Sequence, residues 1–131
     1  MHITKDNINK FIEGSIMNCD NYGITHIDYI PEGITSLLCL GNKLTELPHL
    51  PEGLVVLNCY NNQLTELPKL PESLTHLYCT DNNLKSLPKL PEGLKYLNCQ
   101  NNNLPYEVTL DNLKEHNKLI KRKNILSKIC T

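Results

Sequence analysis

From Ile34 onward the apolar residues fall on a beat of twenty. With Leu54 as the first position of a unit, Leu57, Cys59, Leu64, Leu67 and Leu70 follow, and the same positions return as Leu74, Leu77, Cys79, Leu84, Leu87 and Leu90. Around Leu57 and Cys59 apolar and polar residues alternate with period two, which predicts a short strand with Leu57 and Cys59 inward and Val56, Asn58 and Tyr60 outward. The remainder of the unit, LTELPKLP, places prolines at 48 and 51, 68 and 71, 88 and 91. Prolines at that density remove backbone donors and forbid a helix, so the return segment is expected to be extended and polyproline-like. Residues 31–33, 51–53 and 91–93 repeat Pro-Glu-Gly as the turn into the next strand, and Ser73 in place of the glycine indicates that this turn does not demand positive φ.

Laid out in twenties, the units read ITSLLCLGNKLTELPHLPEG, LVVLNCYNNQLTELPKLPES, LTHLYCTDNNLKSLPKLPEG and LKYLNCQNNNL. They match the LxxLxCxxNxL form of a leucine-rich repeat, with cysteine as the third apolar position, and they predict a solenoid in which stacked turns share one parallel sheet. The class is α/β, with short parallel strands, an extended convex side and helical caps at both ends. One domain is expected over residues 1–131: an N-terminal helical cap at 1–14, about five repeats over 15–106 and a C-terminal helical cap at 107–131. In the N-terminal cap Ile8, Phe11 and Ile12 have helical spacing, with Thr4 as N-cap and Gly14 as terminator. In the C-terminal cap Leu110, Leu113 and Ile120 lie near one face, with Leu119 beside them and Leu126, Ile129 and Cys130 beyond the polar run at 121–124. The first turn is degenerate, with Tyr22 where later turns carry asparagine and Asp28 where they carry proline. That is the expected look of an end cap.

Two columns are structural. Cys39, Cys59, Cys79 and Cys99, preceded by Cys19, form an inner rung. Parallel Cα–Cβ vectors on neighbouring strands disfavour disulfides, and a line of thiols does not converge on a tetrahedral metal, so reduced core cysteines and a reducing compartment are expected. Asn42, Asn62, Asn82 and Asn102 sit where the chain bends out of the strand, where an inward amide can pair stranded backbone groups in two turns. Asn61, Asn83, Asn101 and Asn103 read as turn residues on the rim.

The strings LTELPKLPESLTHLYCTDNNL and KLPEGLKYLNCQNNNL resemble the short repeats of secreted bacterial effectors of the YopM and IpaH types. They are also similar to repeats in proteins of large DNA viruses that infect amoebae. The resemblance covers about residues 14–106 and implies a protein-binding scaffold, with a partner in an invaded host cell and the host cytoplasm as its compartment. Ligase-bearing members of the effector group carry a separate catalytic domain with a cysteine nucleophile. Cys130 matches no motif of theirs, and no such domain is expected beside the repeats in these 131 residues.

Charge and chemistry narrow the function classes. The net charge is −1, from 13 basic and 14 acidic residues, which favours neither nucleic acid nor anionic lipid as a partner. It is unevenly spread: residues 1–109 hold 7 basic and 12 acidic side chains, residues 110–131 hold 6 and 2. The basic residues Lys114, Lys118, Lys121, Arg122, Lys123 and Lys128 lack interleaved aromatics and read as a solvated cap face. No secretory leader or membrane span is expected, so the reading is intracellular. GxSxG, HExxH and phosphate-loop motifs are absent, and Ser36 and His76 stand two turns, about 10 Å, apart. No enzyme, cofactor or metal site is expected. His2, His26, His49 and His116 occupy unrelated registers and read as surface or cap residues.

What remains is the outward, concave side of the sheet. Leu38, Leu40, Val56, Tyr60, His76, Tyr78 and Tyr96, with Val55 beside them, form an apolar and aromatic stripe. Tyrosine supplies large amphipathic contact area, and a contiguous exposed patch of this kind predicts a partner-binding face. The alternative is self-assembly, through the stripe or through charge-complementary ends.

Overall fold

In the computed structural model, which describes residues 1–130, twenty-residue turns stack into a leucine-rich repeat solenoid of about five turns. Its sheet is built from β2 (Ile12–Glu13), β3 (Ile16–Asn18), β5 (Ser36–Leu38), β6 (Val56–Asn58), β7 (His76–Tyr78) and β8 (Tyr96–Asn98), in that order. From β3 to β8 every pairing is parallel and in register at an offset of twenty, as in Leu37↔Leu57↔Leu77↔Leu97. The return segments 45–53, 65–73 and 85–93 hold neither helix nor strand, as their prolines dictate. The turns that begin at Ile34, Leu54 and Leu74 bury the same set, which in the middle one is Leu54, Leu57, Cys59, Leu64, Leu67 and Leu70. At about 1.5–3 kcal/mol per fully buried large apolar side chain, burial between turns is what offsets the entropy of ordering so much irregular chain.

The bend after each strand is held by the asparagine column. Asn62 Nδ2 donates to the carbonyls of Cys39 at 3.0 Å and Cys59 at 3.1 Å, while its Oδ1 accepts the Leu44 N–H at 3.0 Å. Asn42, Asn82 and Asn102 make the same two-turn bridge. Just before each of them stands a residue in the left-handed region, Gly41, Asn61, Asp81 and Asn101, and Asn21 holds the same place before Tyr22, with φ between 55° and 68° throughout. Only glycine, asparagine and aspartate adopt that conformation cheaply, which explains the column's composition. A Cβ on Gly41 would lie 2.0 Å from Asn21 Oδ1, so glycine is required there by its neighbour as well. In the Pro-Glu-Gly turns only Gly33 has positive φ. Ser73 uses its hydroxyl instead, donating within reach of the Glu52 and Leu54 carbonyls.

The N-terminal cap differs from the expected helix. Residues 8–11 form one turn of 3-10 helix (Ile8–Phe11), set between β1 (His2–Ile3) and β2. Thr4 and Asn7 explain the early stop: Asn7 Oδ1 accepts the Thr4 N–H at 2.8 Å and Thr4 Oγ1 accepts the Asp6 N–H, a local alternative to helical pairing. Gly14 and Ser15 form the two-residue turn of the β2–β3 hairpin and terminate no helix. β1 runs parallel to β4 (His26–Ile27) on the return side of the first turn, burying Ile3 and Ile27. Tyr22, in the ladder position, has no earlier turn to bridge, and its ring meets Phe11 edge-on at 5.2 Å.

At the other end a 3-10 turn (Leu110–Asn112) leads into α1 (Leu113–Cys130), one continuous helix. Asn117 pairs its amide with both backbone groups of Leu90, at 2.8 Å each way, as an added strand would. His116 is buried; Nε2–H donates to the Pro88 carbonyl at 2.9 Å, which leaves Nδ1 to accept from Tyr106 at 2.7 Å. Residues 121–129 are all exposed, because the end of the solenoid offers surface for only the first turns of the helix.

Cys19, Cys39, Cys59, Cys79 and Cys99 are free and buried. Burial pushes the Cys59 thiol up to about 12 and raises Cys39 and Cys79 as well, so these thiols are neutral and poor nucleophiles in the native state. Replacing Cys59 by serine buries a hydroxyl among leucines and is expected to cost roughly 1–3 kcal/mol in urea unfolding. A folded-state pKa above the unfolded one contributes stability that is present in full below the ordinary thiol value and lost as pH rises toward the folded value. Under reducing conditions the wild-type advantage over Cys59→Ser should therefore shrink by about 1–2 kcal/mol between about pH 7.5 and pH 10; a gap that does not change would contradict this burial.

Candidate functional site

Period-two alternation in β3 and β5–β8 sends three columns of side chains to the open face of the sheet. The first reads Ile16, Ser36, Val56, His76, Tyr96 and the second Asn18, Leu38, Asn58, Tyr78, Asn98, both fixed by the strand register. The third, Asp20, Leu40, Tyr60, Thr80, Gln100, follows where backbone pairing continues past the strands, as in the Gly41 N–H to the Tyr60 carbonyl at 2.9 Å. Leu38, Leu40, Val56, His76 and Tyr78 are half-buried; Tyr60 and Tyr96 stand out at 39% and 54% exposure. Ile16, 45% exposed, belongs to the same face. Its place one period before Ser36 was the available signal, obscured because its turn is degenerate elsewhere.

The rings are organised. His76 stacks on Tyr96 with centroids 4.4 Å apart and planes 25° apart, and tilts against Tyr78 at 6.2 Å. Its Nδ1 is held by the Thr75 hydroxyl at 2.7 Å, which fixes the ring edge. Beside this cluster Tyr60 and Tyr78, with Asn58, Thr80, Asn98 and Gln100, line a shallow depression of about 420 Å³. Of the fifteen outward positions in the three columns only Asp20 is a carboxylate, and none is Lys or Arg. Asp20 Oδ1 accepts the Leu40 N–H at 2.8 Å, and burial raises its pKa while that hydrogen bond lowers it. The face is therefore nearly uncharged, aromatic at its centre and rimmed with amides.

Two of the histidines expected in unrelated registers meet. His2 and His26 are register partners across β1 and β4, their rings edge-on at 4.5 Å, and Asp28 contacts both. His116 is in the core of the C-terminal cap. His49 borders a groove along the proline turns with Lys69, Glu72 and Lys89. The side chain of Cys130 lies outside the described residues. Among the described residues no helix is long and apolar enough to cross a membrane.

No family model matches the chain, and no curated protein does. Among solved structures the chain is similar to YopM, a leucine-rich effector protein from Yersinia pestis, with a TM-score of 0.64 and 28% identity. The match covers 80% of this chain and 36% of that one, so the chain spans about a third of the protein it resembles. It supports the effector-type resemblance drawn from the repeats; the viral resemblance rests on the sequence alone. The fold is that of a leucine-rich repeat solenoid with effector-like turns, a scaffold that generally serves protein–protein interaction.

Proposed function

We propose that the chain is a non-catalytic interaction module that holds a partner protein or peptide against its sheet face, a host protein being the class the effector resemblance implies. The observation that carries this is the near absence of charge from fifteen outward positions that include Tyr60, Tyr78 and Tyr96. Interface cores are depleted in charge and enriched in tyrosine, whereas nucleic acid would require a basic face. The site residues are Leu38, Leu40, Val56, Tyr60, His76, Tyr78 and Tyr96, with Ile16 added. The mechanism is preorganisation: the asparagine and cysteine columns hold the strands in register, so little side-chain or backbone freedom is lost when a partner binds.

A second reading rests on α1. Leu119, Ile125, Leu126 and Ile129 are exposed beside Lys121, Arg122, Lys123 and Lys128, while the repeats and N-terminal cap carry net negative charge. A second copy could cover that helix with its acidic repeat body.

The Tyr60→Ala, Tyr78→Ala, Tyr96→Ala triple variant should lose the proteins captured by the wild type from host-cell lysate, with roughly 100-fold weaker affinity for any purified partner. A Lys69→Ala variant on the opposite surface should retain them. Identical capture by the triple variant, with its melting curve intact, would refute binding on the sheet face. For the second reading, light scattering should show a dimer at low salt that dissociates at about 0.5 M salt; a monomer at every ionic strength would exclude assembly through opposite charge.

A further inference from the structure

Where later turns carry Glu46 and Pro48, or Glu66 and Pro68, the first turn carries His26 and Asp28. It is also the turn whose return segment is paired by the N-terminal strand. Parallel register sets His2 directly beside His26, and with Ile3 and Ile27 pointing into the core both imidazoles face outward. Asp28 follows His26 by two residues on the same side, and its own N–H donates to the Ile3 carbonyl at 3.0 Å, a bond proline could not make. The Asp28 carboxylate therefore meets both rings: Oδ1 lies 2.5 Å from His2 Nε2 and 3.3 Å from His26 Nε2. One ligand atom from each residue falls within 4.8 Å of the other two.

We propose that His2, His26 and Asp28 form a surface zinc site that ties the N-terminal strand to the first turn of the solenoid. Two imidazole nitrogens and one carboxylate oxygen are a donor set that suits zinc, which takes nitrogen at about 2.0–2.1 Å and oxygen at about 2.0–2.2 Å. In a tetrahedron of that size ligand atoms stand about 3.3–3.5 Å apart. The His26–Asp28 pair already has this separation. The His2–Asp28 contact is a hydrogen bond in which zinc would replace the shared proton, and it must open by just under about 1 Å. Both side chains are about half exposed, at 51% and 41%, so they can spread without disturbing Ile3 or Ile27. Water completes the coordination. β1 is only two residues long, and an ion bridging it to β4 closes a loop of more than twenty residues at the end of the stack most prone to fray.

The test is zinc titration of the reduced protein in competition with a chromophoric chelator, on wild type, His26→Ala and Asp28→Asn, with His49→Ala as control. Wild type and the control should bind one zinc per chain with Kd on the order of 10 µM or tighter. The two site variants should bind roughly tenfold or more weakly. Zinc should raise the melting temperature of wild type by a few degrees and leave both site variants unmoved. Cobalt substituted for zinc should show ligand-field bands without a thiolate charge-transfer band. Absence of binding up to about 1 mM zinc, equal binding in both site variants, or a thiolate band assigning the metal to the cysteines would each overturn the proposal.

Discussion

A chain that leaves a sheet and turns back every twenty residues must bury the bend, and a buried bend strands carbonyls and amides that water cannot reach. The ladder carboxamides resolve this. One Nδ2 satisfies the carbonyls of two consecutive cysteines while Oδ1 takes an N–H of the preceding turn, as with Asn62 between Cys39, Cys59 and Leu44. Among the described residues no buried side-chain nitrogen or oxygen lacks a partner. Because each bridge reaches one turn back, the period cannot drift: a turn of another length would leave donors and acceptors unmatched, each at a cost of about 1–3 kcal/mol. The left-handed residue before each asparagine aims the carboxamide inward, so the two columns work as one device.

Everything on the sheet face inherits its order from that device. Strands of three residues are too short to fix a surface by themselves. Held at one register by the ladder, they stack Tyr96 of one turn on His76 of the turn before it. The same regularity makes the ends informative. Where the repeat has no neighbour, its residues are replaced by ones that pair with something else: Tyr22 with Phe11, Asp28 with two histidines, Asn117 with the backbone of Leu90.

What the sequence revealed and what it concealed divide along this line. The inward set, the strand positions and the proline-rich return were legible because each is repeated, so one unit's reading was tested by the next. The left-handed column was legible in principle from Asn21, Gly41, Asn61, Asp81 and Asn101, since few other residue types tolerate that backbone; only its rim position was read. The C-terminal helix was legible from its apolar spacing, but the form of the N-terminal cap and the contacts both caps make were not, because they occur once. β1 and β4 pair at an offset of twenty-four, outside the period, and nothing in the spacing of His2, His26 and Asp28 announces that they meet. His116 sits in a run of charged and polar residues with no periodic signal of burial. Leu119, Leu126 and Ile129 read as cap apolar residues yet are exposed, because helix periodicity reports which residues share a face and not how far the neighbouring surface extends.

The order of the sheet face, on which the proposed binding depends, rests on the ladder. Native-state hydrogen exchange on Asn62→Ala, read residue by residue against the wild type, addresses that dependence most directly. The Leu44 amide, which loses its acceptor, should exchange at least about 100-fold faster, and protection should also fall at Cys59 and along the neighbouring strands as a unit. Protection at Leu44 within about twofold of wild type, with β6 and β7 unaffected, would contradict the claim that the asparagine ladder holds the turns in register.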